Sequence, residues 1–128
     1  MTSQTPIPSN AELEILRILW RRGPLTVREV HDELKRERDI GYTTVLKIMQ
    51  VMAEKKIVTR DESERSHVYS PAVEEKSVKR RLVSELLDKA FDGSAAQLVM
   101  HALSDKRASQ EDLKKIRKLL NESTRKSQ

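Results

Sequence analysis

A four-residue turn between two predicted helices constrains the fold of this chain more than its composition does. The letters "RDIG" separate a helix predicted over about Val27–Arg38 from a helix predicted over about Tyr42–Lys55. The first helix begins with Thr26 and Glu29, which have the spacing of a capping box. Two helices joined by a short turn that contains glycine have the spacing of a helix-turn-helix.

The second helix of this pair has two different faces. Apolar residues at steps of three, one and three form a stripe that packs on a core: Val45, Ile48, Met49 and Met52. Side chains able to hydrogen-bond occupy the opposite face: Tyr42, Thr43, Thr44, Lys47 and Gln50. The polar face is therefore a candidate binding surface.

The elements around this pair complete a winged helix-turn-helix domain over residues 1–71. Residues 1–9 are expected to be disordered. Ser9 or Asn10 can cap a first helix, and the spacing of Ser9 to Glu12 is that of a capping box. This helix is predicted to run to about Arg22, where Gly23 and Pro24 stop it. After the second and third helices, strands are predicted over about Ile57–Asp61 and His67–Ser70. A hairpin directly after a recognition-type helix is a wing.

Residues 72–128 are predicted to form a C-terminal three-helix dimerisation domain. Pro71 marks the boundary, and helices are expected over about Val73–Phe91, Ser94–Leu103 and from Ser109 onward. A domain of roughly 60 residues is marginal alone, so a homodimer is expected to complete its core. The residues expected at the dimer contact are Leu82, Leu86, Phe91, Leu98, Val99, Leu113, Ile116, Leu119 and Leu120. The predicted fold class is mainly α with a small β-hairpin.

Composition excludes several function classes. The chain has no cysteine, which excludes thiolate metal sites and cysteine nucleophiles. His31, His67 and His101 lack the paired spacing of metal ligands, and the sequence has no Gly-rich phosphate loop or nucleophile elbow. We therefore expect no metal, no cofactor and no enzymatic activity. No apolar run approaches the roughly 20 residues of a membrane span, and a cytoplasmic location is expected.

Three segments resemble the winged-helix repressors of the penicillinase repressor family (BlaI/MecI/CopY type). They are "AELEILRILWRRGPLTVREVHDEL", "YTTVLKIMQVMAEKKIVTRD" and "VYSPAV", and the likeness extends from about Ala11 to Leu120. The resemblance implies a dimeric transcriptional repressor on a pseudo-palindromic operator in double-stranded DNA. It also implies that Thr43, Thr44, Leu46 and Lys47 face the bases. Leu46 is either a thymine contact or a partly exposed packing residue, and the sequence leaves both open.

Several further residues are candidates for contacts to DNA phosphates, which set register but not sequence. Tyr42 precedes the base-facing positions and either packs in the turn or binds a phosphate. Arg60, Arg65, Ser66 and His67 lie on or beside the predicted wing, and Lys55 and Lys56 precede it. Acidic residues are interspersed among these cations, so Arg60 and Arg65 are the stronger candidates.

In β-lactam-responsive members of the family, a membrane sensor protease is linked to cleavage of the repressor within the C-terminal domain, which breaks the dimer and relieves repression. The family's cleavage point is an Asn-Phe pair, and His101 and Ala102 stand at the matching place in "LVMHALS". This departure leaves open cleavage at another sequence, or a constitutive repressor. The absence of cysteine excludes the thiolate sensing of copper-responsive members.

The charge distribution keeps a second class of function open. Residues 1–70 carry 12 Lys and Arg against 11 Asp and Glu, whereas residues 71–128 carry 13 against 9. Bulk charge therefore does not locate a nucleic-acid surface in the first domain. A winged-helix adaptor that binds protein without sequence-specific DNA binding is the alternative.

Overall fold

The structure, a computed structural model, describes residues 5–105 and 107–126. Its chain divides into two compact units, residues 1–83 and 84–128. The elements are α1 (Asn10–Arg22), β1 (Leu25–Thr26), α2 (Val27–Lys35), α3 (Tyr42–Glu54), β2 (Val58–Asp61), β3 (Val68–Pro71), α4 (Glu75–Ala90), α5 (Ala95–Ser104) and α6 (Gln110–Lys126). This architecture confirms the predicted mainly helical fold with a small β-hairpin, and β1 adds a third strand to that hairpin.

Capping boxes fix the starts of the first two helices. The Ser9 hydroxyl accepts from the Glu12 backbone N–H at 3.2 Å, and the Glu12 carboxylate accepts from the Ser9 N–H at 2.9 Å. Thr26 and Glu29 make the same reciprocal pair at the start of α2. Each box satisfies two backbone groups that a helix start leaves unpaired.

The ordered part of the chain begins before residue 10. Pro8 is buried, and Ser9 is fixed by its capping box. Disorder was predicted through residue 9, and residues 1–4 of that segment lie outside the described residues.

One face of α3 closes the core of the first unit. Val45, Met49 and Met52 are completely buried, and Ile48 is packed beside them. Burying such a side chain contributes about 1.5–3 kcal/mol. The predicted stripe is therefore the inward face of α3, and the residues on its other side remain exposed.

The sheet has three strands in the order β1-β3-β2, all antiparallel. The short segment Leu25–Thr26 pairs with β3 through Leu25 opposite Tyr69. On the other side of β3, Arg60 lies opposite Tyr69. Because Tyr69 is buried, β3 anchors the wing to the core, and the residues that join β2 to β3 project from it as an exposed loop.

The first unit extends beyond the predicted boundary at Pro71 and ends within α4. The indole Nε1–H of Trp20 donates to the Val73 carbonyl oxygen at 3.1 Å, and Val78 in α4 is completely buried. These contacts tie the start of α4 to the winged-helix core. Trp20 itself is partly buried against that core.

The second unit contains the end of α4 together with α5 and α6. None of its described residues, 84–105 and 107–126, is buried. Apolar side chains are exposed on each of its helices, including Leu86, Val99, Met100, Leu119 and Leu120. The three helices form as predicted, but their own packing does not enclose a core.

Candidate nucleic-acid interface

The polar face of α3 is exposed, and no side chain in the first turn of α3 caps the helix. Gly41 is the N-cap and makes no side-chain cap hydrogen bond. Thr43 and Thr44 are exposed, and within the described part of the chain neither hydroxyl makes a hydrogen bond. Glycine therefore holds the capping position, and the Thr43 and Thr44 hydroxyls lie beyond it.

Lys47 and Leu46 differ in their exposure to solvent. Lys47 is exposed and lines a shallow depression together with Gln50 and Arg60. Among the described residues it makes no ion pair. Leu46 is partly buried and packs against the core, yet it also lines the groove beside the wing. Both alternatives for Leu46, packing and thymine contact, stay open.

A groove of about 450 Å³ lies between the helix-turn-helix and the wing. We call it the wing groove, and its lining residues are Thr26, Val27, Arg28, Tyr42, Leu46, Gln50, Arg60, Arg65, Ser66, His67 and Tyr69. It brings together Tyr42, Leu46 and all four predicted wing residues. Thr43, Thr44 and Lys47 do not line it, because they lie elsewhere on the exposed face of α3.

The two wing arginines have different surroundings. Arg60 donates from Nε to Glu62 Oε2 at 2.8 Å, and hydrogen bonds to the Tyr69 side chain and then to Glu62 raise its pKa further above the usual value. Arg60 is therefore permanently charged but partly neutralised by Glu62. Arg65 is exposed and makes no ion pair with any residue that the structure describes, so its charge is available to an anionic ligand.

Lys55 forms an ion pair within the first unit. Its Nζ donates to the buried carboxylate of Glu12 at 2.8 Å. Burial acts to raise the pKa of Glu12, but the hydrogen bonds from Lys55 and the Ser9 backbone outweigh it and lower that pKa. Lys55 therefore joins the end of α3 to the start of α1, and its candidate role as a phosphate contact stays a prediction. Lys56, which follows it, has a left-handed backbone with φ 65°.

Sequence reasoning missed Arg28 and Thr26 as parts of this surface. Both lie at the start of α2 and reach the wing groove. The guanidinium carbon of Arg28 lies 5.8 Å from the centroid of the Tyr42 ring. No local pattern marks Arg28, since its contact is with a residue on the next helix. Its exposed position two residues after an N-cap was the only signal available.

The predicted dimer contacts lie mainly on the second unit. Leu86, Val99, Leu119 and Leu120 are exposed, whereas the others are partly buried: Leu82, Phe91, Leu98, Leu113 and Ile116. His101 and Ala102, at the predicted cleavage position, are exposed on α5. The His101 ring lies 5.5 Å from that of Phe91.

The described residues hold neither a cluster of metal ligands nor a helix that could span a membrane. Residues 5–105 and 107–126 contain no group of three or more His, Cys, Asp or Glu side chains that could hold a metal ion. Over the same ranges, no helix is both long enough and apolar enough to cross a membrane.

Almost the whole chain matches a known protein family. The family model described as "Penicillinase repressor" matches residues 8–122. The penicillinase repressor of Staphylococcus aureus is 22% identical over 118 residues, which are 92% of this chain and 94% of that protein. The transcriptional regulator BlaI of Mycobacterium tuberculosis is 33% identical over 90 residues, 70% of this chain and 65% of that protein.

A solved structure has the same fold as the winged-helix unit. It is the solution structure of monomeric Bacillus licheniformis BlaI in complex with the blaP half-operator. The TM-score is 0.51 at 24% identity, with 59% of this chain and 93% of that chain covered. This likeness agrees with the winged helix-turn-helix architecture described above.

Proposed function

The chain belongs to the penicillinase repressor family, and we propose on that premise that it is a homodimeric repressor of transcription that binds a pseudo-palindromic operator in double-stranded DNA. Repressors of this family are not enzymes, so the family confirms the expectation that the chain catalyses no reaction. The observation that carries the proposal is the exposed polar face of α3, whose opposite side packs on the core of the first unit.

The geometry of α3 supports major-groove binding. The N-terminal residues of a recognition helix meet base edges, and Thr43, Thr44 and Lys47 are exposed there. A Thr methyl group suits the thymine methyl, and a Lys ammonium reaches guanine acceptors. Tyr42 and the wing residues Arg65, Ser66 and His67 line the adjacent groove, where we assign them to backbone phosphates together with Arg60. The solved BlaI complex holds a half-operator, which supports the same use here.

The exposure of the second unit supports homodimerisation. Its described residues include no buried side chain, and Leu119 and Leu120 are 64% and 58% exposed on α6. An isologous contact with a second copy removes these surfaces from water. A dimer also places two recognition helices on one duplex, which is how a pseudo-palindromic site is read.

We further propose that cleavage near His101 and Ala102 relieves repression by separating the dimer. Both residues are exposed on α5, a helix in which no residue is buried. A membrane sensor protease is the proposed source of the cleavage. Co-expression with such a protease and mass spectrometry of the fragments tests the position of the cut, and an intact chain after induction would identify a constitutive repressor.

Footprinting and salt titration test the central proposal. We expect protection of an inverted repeat whose half-site centres lie whole helical turns apart, each about 34–36 Å. Log K is expected to fall linearly with log[salt], since phosphate contacts release counterions. The near balance of charge in residues 1–70 is the feature that favours the alternative, a protein-binding adaptor. An adaptor would show no salt-sensitive binding to any duplex.

A further inference from the structure

Arg28 and Tyr42 form a cluster with His31 at the edge of the wing groove. The guanidinium carbon of Arg28 lies 5.8 Å from the centroid of the Tyr42 ring. On its edge, the Tyr42 ring meets His31 at a centroid distance of 5.8 Å and an interplanar angle of 90°. His31 Nε2 is 2.8 Å from the Ile40 carbonyl oxygen. The ring that supports Arg28 is thus held by α2 and the turn.

Arg28 keeps its charge free although acidic residues are nearby. The adjacent Glu29 carboxylate is occupied by the capping box, where Oε1 accepts from the Thr26 N–H at 2.9 Å. Within residues 5–105 and 107–126, Arg28 makes no ion pair. Other arginines of the first unit are paired: Arg21, Arg22 and Arg36 with Glu33, and Arg38 with Glu14.

The wing groove therefore has an unpaired arginine on each of its two sides. Arg28 comes from α2, and Arg65 comes from the loop between β2 and β3. Arg60 also lines the groove but is bonded to Glu62. Planar guanidinium groups bind phosphate oxygens in a bidentate manner. The phosphate backbone of one DNA strand, placed in the wing groove between these two arginines, would meet a cation on each side.

We propose that Arg28 is a phosphate-binding residue of the DNA interface and that the Tyr42 ring positions it. The proposal rests on the proposed function, because it requires the wing groove to face duplex DNA. A cation–π contact at an exposed site is favourable. Because this contact already restricts the Arg28 side chain in the free protein, Arg28 loses less conformational entropy when it binds a phosphate. Phosphate contacts carry no sequence information, so Arg28 contributes equally on every duplex.

The test uses the full-length chain, a duplex selected from a random-sequence pool and a scrambled duplex of the same composition. Fluorescence anisotropy gives affinity over a series of KCl concentrations. We expect Arg28→Ala to weaken both duplexes by the same factor and to lower the magnitude of the salt slope by about 1. Arg28→Lys is expected to keep the slope because it keeps the charge.

Arg36→Ala is the matched control. Arg36 is exposed, lies at the other end of α2 and is 4.0 Å from Glu33, so its loss is expected to leave the salt slope unchanged. Matching circular dichroism melts of the variants establish that the fold is retained. A double-mutant cycle tests positioning: Arg28→Ala should weaken binding by a smaller factor in a Tyr42→Leu background than in the Tyr42→Phe background.

Two results overturn the proposal. One is a wild-type salt slope in Arg28→Ala, and the other is a loss of affinity confined to the selected duplex. Equal effects of Arg28→Ala in the two Tyr42 backgrounds overturn the positioning role. A wild-type chain that binds neither duplex refutes the proposed function itself, so the two failures are distinguishable.

Discussion

Replacement of Leu119 by alanine provides a quantitative test of the dimer contact. Leu119 is 64% exposed on α6, so about six tenths of this residue is available for burial in the proposed dimer. Full burial of a leucine side chain is worth about 1.5–3 kcal/mol, and the exposed part therefore accounts for about 1–2 kcal/mol. Leu119→Ala removes most of this contribution.

The symmetry of the contact doubles the expected effect. In an isologous dimer each substitution occurs twice, so the dimer is expected to lose about 2–4 kcal/mol. Since 1.4 kcal/mol corresponds to a factor of ten, the dimer dissociation constant should rise roughly 30-fold to several hundred-fold. Operator affinity should fall with it at concentrations below the new dissociation constant.

Sedimentation velocity over a dilution series measures this constant. Ile7→Ala is the matched control, because Ile7 is an exposed apolar side chain of the first unit, 36% exposed, and its loss should leave dimerisation unchanged. Circular dichroism verifies that α6 remains helical in Leu119→Ala. A wild-type dissociation constant in Leu119→Ala, or a monomeric wild-type chain at all concentrations, would refute the reasoning that α6 completes its core with a second copy.

Further predictions concern base readout, acid stability and the extent of the first unit. Lys47→Ala should relax preference at one base position at a cost of about 1–3 kcal/mol; competition binding with single-base variants checks this, and equal losses on random DNA would contradict it. The lowered pKa of Glu12 stabilises the fold above the carboxylate's ordinary value of 4.5, and this contribution disappears as the pH falls through the lower folded-state value. Urea unfolding from pH 7 to pH 3 should therefore show a steeper acid loss in the wild type than in Glu12→Gln, and parallel curves would refute the assignment. A fragment of residues 1–83 should be a folded monomer with weak operator binding, whereas a fragment ending at Pro71 should melt lower because the bond from Trp20 to Val73 and the burial of Val78 are lost; equal melting temperatures would contradict this division.

The sequence alone determined the helices, the hairpin and their order, because their signals are local. Capping-box spacing located the starts of α1 and α2, as the structure bears out at Ser9 and Thr26. The stripe of Val45, Met49 and Met52 identified the inward face of α3. Helical periodicity and capping chemistry act within a few residues, so they can be read without coordinates. The same periodicity indicated that α3 has a free polar face.

Tertiary structure decided which charges are free and which residues meet. Lys55 was a candidate phosphate contact, and its partner Glu12 lies far back in the chain on α1. Arg28 carried no local signal, and its place at the wing groove follows from packing α2 against α3 and the wing. The extension of the first unit into α4 likewise depends on the contact of Val73 with Trp20. Ion pairs and grooves join residues distant in sequence, and the net charge of a segment does not reveal which of its cations the fold has already neutralised.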